Sequence, residues 1–203
     1  MNPMSTFPQI LSDEKVNERH IDFRDALYQL DTENLTSENT DVLIKIYKTT
    51  KQIDYRNRIL KLLYTHNSSD LQEFFEGAYK KERYLDMKIY GLRGLALFSN
   101  EKYIEKLVNK LKLILAKREE TTPYNYQEYE LLRGKNALPF IVDTYNYNCL
   151  KELLQQVNEQ YERMPDAFKG HFTTDENGEI TNLRTPAENS KLITAFFNQQ
   201  KKN

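Results

Sequence analysis

Residues 53–64 read IDYRNRILKLLY and residues 84–98 read YLDMKIYGLRGLALF. In the first stretch, apolar residues recur at the spacing of one helix face, which predicts a helix over 53–64. The second stretch is apolar around much of its circumference, which predicts a helix over 84–98 that is buried on more than one side. Gly91 and Gly94 lower helix propensity there, and we expect them to let a neighbouring helix approach closely. Such a helix is typical of an inner member of a stack.

An internal repeat relates these helices to their neighbours. A displacement of 32 residues places Asp54 on Asp86, Tyr55 on Met87, Leu60 on Leu92, Leu63 on Leu95, Phe75 on Leu107 and Tyr79 on Leu111. A displacement of 33 residues places Leu27 on Leu60, Leu30 on Leu63, Val42 on Phe75 and Ile46 on Tyr79. A two-helix period of this length is typical of a helical solenoid, in which each hairpin completes its core against its neighbours.

The same periodicity predicts further helices over 13–30, 38–49, 70–81, 101–118, 128–145 and 149–164. A connector that contains Pro and Tyr, residues 121–129, interrupts the period. The last forty or so residues depart from the repeat. Within the irregular segment 165–203, Asn177-Gly178 lies between residues that tolerate extended structure, which predicts a β-hairpin over 172–181. A final helix over 187–198 is expected to cap the end of the stack.

The clearest copy of the repeat is Asp54-Tyr55-Arg56, followed by Leu60 and Leu63 and then by Leu71 and Phe75. This register resembles that of HEAT-like (armadillo-type) repeats, well over residues 20–118 and loosely over 126–164. The resemblance implies an all-α fold with a short right-handed α-α superhelix over 12–164. The length of 203 residues predicts a single domain, 1–203, or at most two small ones. Tetratricopeptide repeats have a similar period, but their Gly-Tyr and small-Ala pattern is largely missing here.

Composition narrows the classes of function. Lys plus Arg number 29 and Asp plus Glu 30, for a net charge of -1, which argues against a dedicated nucleic-acid binder. Cys149 is the single cysteine, which excludes an internal disulfide and a multi-cysteine zinc site, so we expect a small buried hydrophobe there. The first eleven residues do not form a signal peptide, and no apolar run is long enough to span a membrane. These patterns predict a soluble, cytoplasmic protein.

Catalytic and metal-binding patterns are missing from the sequence. His20, His66 and His171 lie in three different segments, without helical metal-site spacing, and are expected at the surface or at helix caps. Adjacent carboxylates such as Glu119-Glu120 do not share a helix face and make poor acid–base pairs. The acidic segment 175–179 lacks the alternating ligands of a calcium loop and predicts a turn. We therefore predict no catalytic residue, no metal and no cofactor.

Two surface features remain as candidate partner-binding sites. Lys102, Lys106 and Lys110, with Asn109 and Lys117 nearby, give the helix over 101–118 a basic side that is suited to an acidic partner, although a merely solvated face would carry the same pattern. The other feature is a group of tyrosines at two turns, Tyr124, Tyr126 and Tyr129 in the connector and Tyr145 and Tyr147 after it. Tyrosine is enriched in interface hot spots, so the connector group is the favoured patch.

The fold resemblance indicates a class of function by analogy. Short bacterial HEAT-like proteins include adaptors and immunity proteins that neutralise a cognate toxin, so the leading hypothesis is a non-enzymatic protein-binding module. The alternative is a nucleic-acid enzyme similar to the HEAT-like alkylpurine DNA glycosylases. Those enzymes use a basic groove with Trp-containing walls, whereas this chain has no Trp and a slightly negative charge. A tetratricopeptide-like peptide sensor would need an Asn- and Arg-lined groove that the sequence does not place.

Overall fold

The computed structural model describes residues 7–13, 15–66, 68, 70–175 and 179–201, without the side chain of Asn34. Within this part of the chain there are ten α-helices: α1 Ile21–Tyr28, α2 Ser37–Thr49, α3 Ile53–Leu63, α4 Leu71–Lys81, α5 Leu85–Ala96, α6 Glu101–Thr121, α7 Tyr126–Leu132, α8 Leu138–Tyr145, α9 Asn148–Arg163 and α10 Pro186–Gln200. Short 3-10 helices occupy Gln9–Leu11, Thr32–Asn34 and Asp166–Phe168, and two strands, β1 Phe172–Thr174 and β2 Ile180–Asn182, form a hairpin. The predicted helical class with a small hairpin and a C-terminal helix is confirmed. None of the described helices combines the length and apolar character that crossing a bilayer demands.

The chain divides into two compact units, residues 1–83 with 90–98 and residues 84–89 with 99–203. In the first unit, α3 packs against both α1 and α2. The interior includes Leu27, Leu43, Ile59, Leu60, Leu63, Leu71 and Phe75, all with 0% exposure. These are the apolar positions of the predicted helix faces, so the periodicity of the sequence defines this core.

Two glycines of α5 bring helix backbone close to α4 within the first unit. A Cβ built on Gly91 would lie 3.0 Å from the backbone nitrogen of Tyr79. A Cβ on Gly94 would overlap the ring of Phe75. The close approach expected from these glycines is therefore confirmed.

A buried carboxylate connects three helices of the first unit. Glu82 follows the last residue of α4 and is 7% exposed. Its Oε1 accepts hydrogen bonds from the Tyr47 hydroxyl at 2.5 Å and from Arg56 Nε at 2.9 Å. Burial, together with the Glu82 carboxylate, raises the pKa of Tyr47 well above its ordinary range. The ends of α2 and α4 are thereby joined to α3 through charge-assisted bonds.

Two helix predictions were wrong in extent. Among the described residues of the predicted span 13–30, only Ile21–Tyr28 is α-helical. Before it, the side chains of Asp13 and Asn17 accept from the backbone nitrogens of residues two positions on, at 2.9 Å each. Such local bonds offer the backbone an alternative to the helix.

The predicted helix over 128–145 is two helices, α7 and α8, separated by a turn. Gly134 follows the end of α7, and Pro139 is the second residue of α8. Proline lacks the backbone N–H that a helix interior requires, so it begins a new helix here. Asn146, in the left-handed region at φ 54°, then ends α8.

The second unit is built around α9. This helix packs against α6, α7 and α8, and its buried residues include Leu150, Leu153 and Val157. β1 and β2 pair antiparallel, with Phe172 opposite Asn182. The predicted hairpin over 172–181 is therefore confirmed in its strands, whereas Asn177-Gly178 lies outside the described residues. α10 contacts the 3-10 helix Asp166–Phe168, which places it beside the hairpin in this unit.

Candidate binding site

A pocket of about 430 Å³ opens in the second unit beside α10. Its wall is formed by the start of α7, the open end of the hairpin where Phe172 faces Asn182, the segment between β2 and α10, and one side of α10. We call it the His171 pocket. Its volume falls within the range of about 300–1,000 Å³ that is usual for small-ligand sites.

Glu130 of α7 holds the chain that enters β1. Its carboxylate is 6% exposed. It accepts from the backbone nitrogen of His171 at 2.9 Å, from that of Phe172 at 3.3 Å and from the Tyr161 hydroxyl at 3.0 Å. Three donors around one carboxylate compensate for its burial. The position of His171 in the pocket wall is therefore set by a residue far away in sequence.

Tyr161 extends this network to the turn before His171. Its hydroxyl accepts from the backbone nitrogen of Gly170 at 2.8 Å, and Gly170 adopts φ 66°. The guanidinium of Arg133 lies 3.9 Å from the centre of the Tyr161 ring. Burial raises the pKa of Tyr161, so the hydroxyl keeps its proton and can donate to Glu130. Glycine suits the left-handed conformation at Gly170, and the network fixes the turn that aims His171.

The imidazole of His171 is held in one orientation. It is 1% exposed, and its Nε2 lies 2.7 Å from the carbonyl oxygen of Ala167. A carbonyl only accepts, so Nε2 carries a proton, and in this tautomer Nδ1 is an acceptor. The Tyr126 ring lies 4.1 Å away, centre to centre. Within the described part of the chain, Nδ1 is buried and has no hydrogen-bond partner. An unsatisfied buried polar group costs about 1–3 kcal/mol, so such a group needs an explanation.

Two residues that follow β2 add polar groups to the same wall. Asn189 of α10 carries a second buried acceptor, Oδ1, that lacks a donor among the described residues. Arg184 donates through Nη1 to the carbonyl oxygen of Lys169 at 2.9 Å, which anchors the guanidinium at the pocket. The pocket therefore combines a fixed cation with two acceptors that lack donors.

A cluster of four aromatic rings lies under and beside α10. Tyr124 stacks on Phe168 with ring centres 4.5 Å apart and an interplanar angle of 8°. The rings of Phe196 and Phe197 meet Tyr124 edge-on at 5.5 Å and 6.1 Å. Phe168 is buried, but Tyr124 is 37% exposed and Phe197 43% exposed. We call these four residues the aromatic cluster. It presents aromatic surface to solvent.

The predicted tyrosine group is divided by the structure. Tyr124 belongs to the aromatic cluster, and Tyr126 lies in the wall of the His171 pocket. Tyr129 is 2% exposed and donates to Gln160 at 3.0 Å, so it is a core residue and cannot present its ring to a partner. Tyr145 and Tyr147 are half-buried, with ring centres 5.8 Å apart. Tyr129 was placed in the connector because the sequence did not reveal that α7 begins at Tyr126.

The predicted basic side is exposed. Lys102, Lys106 and Lys110 lie at successive four-residue intervals of α6, and each is exposed. Further along the helix, Lys112 is paired with Glu152 of α9 at 2.8 Å. The three lysines therefore share a solvent-facing side of the helix.

The histidine and cysteine predictions have mixed outcomes. His20 caps α1 by accepting from the Asp22 backbone nitrogen at 3.3 Å, as expected for a capping histidine. His171 is buried, so its expected place at the surface was wrong. Cys149 is 8% exposed, which confirms the buried hydrophobe, and burial raises the pKa of its thiol. Among the described residues, no group of three His, Cys, Asp or Glu side chains is placed to hold a metal ion.

Sequence reasoning missed His171, Arg184 and Asn189 as members of one site. His171 reaches Glu130 across 41 residues, and the local sequence carries no sign of that contact. Arg184 and Asn189 lie after the predicted hairpin. Helical periodicity predicts a helix over 187–198 there, but neither periodicity nor residue spacing indicates a binding role for these two residues. Comparison with protein-family models, with curated proteins and with solved structures gives no match for this chain.

Proposed function

We propose that this chain is a non-enzymatic, cytoplasmic protein-binding module of HEAT-like repeat type, which serves as an adaptor or as an immunity protein that neutralises a bacterial toxin. Its binding surface is the aromatic cluster with the adjoining face of α10. The partner is another protein, with apolar side chains that cover the cluster.

The observation that carries this proposal is the exposure of α10. This helix of 15 residues contains no buried residue, although it carries Leu192, Ile193, Phe196 and Phe197. Leu192 is 40% exposed and Phe197 43% exposed, and Tyr124 adds a ring that is 37% exposed. Aromatic residues are enriched in the hot spots of protein interfaces, where few side chains supply most of the binding energy. Exposed aromatic surface on and beside a helix suits a docking surface.

The helix α10 also has the local stability that a docking surface requires. Thr185 and Glu188 form a complete capping box at its N-terminus. Hydrogen bonds from Thr185 lower the pKa of Glu188, so the carboxylate stays charged and keeps the cap. A capping box satisfies two backbone donors that a helix start would otherwise leave unpaired. The exposed apolar residues are thus presented by a helix with a defined start.

Two further observations support the finer parts of the proposal. Positions matched by the 32-residue displacement, such as Leu60 with Leu92 and Leu63 with Leu95, are fully buried in both copies, as a repeat register requires. The exposed lysines Lys102, Lys106 and Lys110 offer an acidic partner a complementary charged face. Complementary charge speeds association and helps to exclude wrong partners.

Affinity capture from native cell extract tests the proposal. The bait is the whole chain, compared with the double variant Tyr124→Ala, Phe197→Ala. We expect one specific partner protein to be retained by the wild type and lost by the double variant, because truncating hot-spot residues costs about 2 kcal/mol or more each. Tyr28→Ala is the matched control, since Tyr28 is 40% exposed and lies in the first unit. It should capture as the wild type does.

Two results would contradict the proposal. One is equal capture by the wild type and the double variant when both unfold at the same temperature. The other is micromolar binding to duplex DNA that weakens steeply with added salt, which would favour the DNA glycosylase alternative. If the captured partner is a toxin, inhibition of that toxin by the wild type but not by the double variant supports the immunity role.

A further inference from the structure

The His171 pocket carries one fixed positive charge. Arg184 lies in its wall, whereas no Asp or Glu is among the described residues that line it. The nearby Glu188 carboxylate accepts from the Thr185 backbone nitrogen and hydroxyl, both at 2.8 Å, and its interaction with Arg184 is electrostatic, without a hydrogen bond among the described residues. One donor of the guanidinium is occupied by the Lys169 carbonyl. A guanidinium has five N–H donors in a planar fork, which matches the two oxygens of a carboxylate. The charge of the wall therefore favours an anionic ligand.

The pocket also carries acceptors. Nδ1 of His171 and Oδ1 of Asn189 are buried and lack hydrogen-bond donors in the described part of the chain. Ala167 fixes the proton on Nε2, so in this tautomer the lone pair is on Nδ1. A ligand that satisfies these atoms has to offer an N–H or an O–H. An inorganic anion without a proton, such as sulfate or chloride, offers only acceptors and would leave both atoms unsatisfied.

The remaining wall is partly apolar. Tyr126, Phe172 and Ile193 contribute an aromatic and aliphatic side, and all three are half-buried. Ligand pockets commonly combine such a side with a small number of convergent polar groups that fix the orientation of the ligand. Together, these three features of the wall indicate a ligand that combines an anionic group, a hydrogen-bond donor and an apolar group.

We propose that the His171 pocket binds a carboxylate with a neighbouring N–H or O–H donor and an apolar side chain, the chemistry of a peptide C-terminus or of an N-acylated amino acid. Arg184 binds the carboxylate, and Asn189 or His171 accepts from the donor. This site is distinct from the aromatic cluster, and the inference does not rest on the proposed function, because its test uses small probes alone.

Three matched probes test the inference by NMR titration of the whole chain. N-acetyl-leucine has the carboxylate and the amide N–H. N-acetyl-leucinamide lacks the charge, and 4-methylpentanoate lacks the N–H. The observed signals are the imidazole nitrogens of His171 and the side-chain amide of Asn189. We expect N-acetyl-leucine to shift both signals and to bind at least about tenfold more tightly than either analogue. N-acetyl-leucinamide loses the charge-assisted hydrogen bonds of the carboxylate, and 4-methylpentanoate loses the hydrogen bond of the amide N–H.

Variants assign the roles of the residues. Arg184→Gln should weaken N-acetyl-leucine binding at least about tenfold, as expected for loss of a charge-assisted pair. Lys191→Gln, which removes an exposed cation of α10 outside the pocket wall, should leave binding unchanged. Asn189→Ala should narrow the preference for N-acetyl-leucine over 4-methylpentanoate. If Arg184→Gln does not fold, the comparison of the three probes on the wild type decides alone.

The inference is overturned if none of the probes moves the His171 and Asn189 signals, if all three bind equally, or if folded Arg184→Gln binds like the wild type. A tetrapeptide that ends in leucine identifies the source of the ligand. Tighter binding than N-acetyl-leucine assigns the pocket to a chain terminus, whereas weaker binding assigns it to a small acylated acid. Capture by the aromatic cluster is measured separately, so failure of one proposal leaves the other in place.

Discussion

In α5, Leu85, Met87, Ile89, Leu92 and Leu95 are all 0% exposed, whereas α10 contains no buried residue although four large apolar side chains lie in it. The apolar residues of α5 surround the helix, and its glycines admit a neighbouring backbone. In α10, the half-buried residues Asn189, Ile193 and Phe196 follow helical spacing, and Leu192 and Phe197 lie at the edges of that face and are exposed. The apolar residues of α5 are fully accounted for by packing within the fold. The second helix keeps Leu192 40% and Phe197 43% exposed, although the Phe197 ring also contacts Tyr124 and Phe168.

The largest expected effect comes from a pair of leucines, one in each helix. Leu92 is 0% exposed and Leu192 is 40% exposed. We expect Leu92→Ala to lower the free energy of unfolding by about 2–5 kcal/mol, because it removes buried methyl groups and leaves a cavity. Leu192→Ala should change it by less than about 0.5 kcal/mol. Urea denaturation measures both, and comparable losses in the two variants would show that α10 is buried after all.

A second prediction concerns the support beneath the His171 pocket. Glu130→Gln replaces one carboxylate oxygen by an amide nitrogen that faces a backbone donor, so we expect a loss of about 1.5–3 kcal/mol. The imidazole signals of His171 should broaden or shift, because its backbone nitrogen bonds to this carboxylate. Glu120→Gln on the exposed end of α6 is the control and should be neutral. An unfolding free energy unchanged in Glu130→Gln would show that the hydrogen bonds to Glu130 do not support the pocket wall.

Two glycines sharpen the description of α5. Gly94→Ala places a methyl group against the Phe75 ring and should destabilise the chain by about 1–3 kcal/mol. Gly77 lies within α4, and a Cβ built on it would meet no neighbouring atom within 4 Å. Gly77→Ala should therefore stabilise by about 0.5–1 kcal/mol through helix propensity. Thermal unfolding distinguishes the two, and the same sign for both would show that α4 and α5 are not in close contact at Gly94.

The smallest expected effect appears at alkaline pH. Burial raises the pKa of Tyr129 to about 12. Unfolded tyrosine has a pKa near 10, so the folded chain holds this proton more tightly, and the associated stability is complete below about pH 10. It is lost progressively as the pH rises toward 12. In Tyr129→Phe the fall in unfolding free energy over this interval should be smaller than in the wild type. If the unfolding free energies of the wild type and of Tyr129→Phe fall in parallel, Tyr129 does not contribute to the loss of stability at alkaline pH.

Local sequence predicted most of the helices because their apolar positions repeat at helical spacing. The predicted spans 38–49, 101–118 and 149–164 lie on α2, α6 and α9 with small differences at the ends. The helix prediction failed at 13–30. There, the side chains of Asp13 and Asn17 accept hydrogen bonds from nearby backbone nitrogens, which favours turns over a helix. It failed again at 128–145, where Pro139 divides the span, although proline is a visible signal.

The binding site was less accessible from the sequence. Tyr124 and Tyr126 were identified by composition, but the aromatic cluster also requires Phe168 and Phe196, which reach Tyr124 from other segments. The sequence alone predicts a surface or capping position for His171, because its contact with Glu130 depends on tertiary structure. Long-range pairings of this kind leave no periodic signature, so the pattern of a single sequence does not reveal them.

The measurement that tests the central claim most directly is hydrogen exchange of the whole chain, alone and with its captured partner. If the exposed apolar residues of α10 and Tyr124 form the docking surface, the amides of α10 and of residues 122–126 should exchange more slowly in the complex. Those of α5, already buried in the free chain, should not change. Slower exchange confined to other helices, with α10 unaffected, would contradict the account.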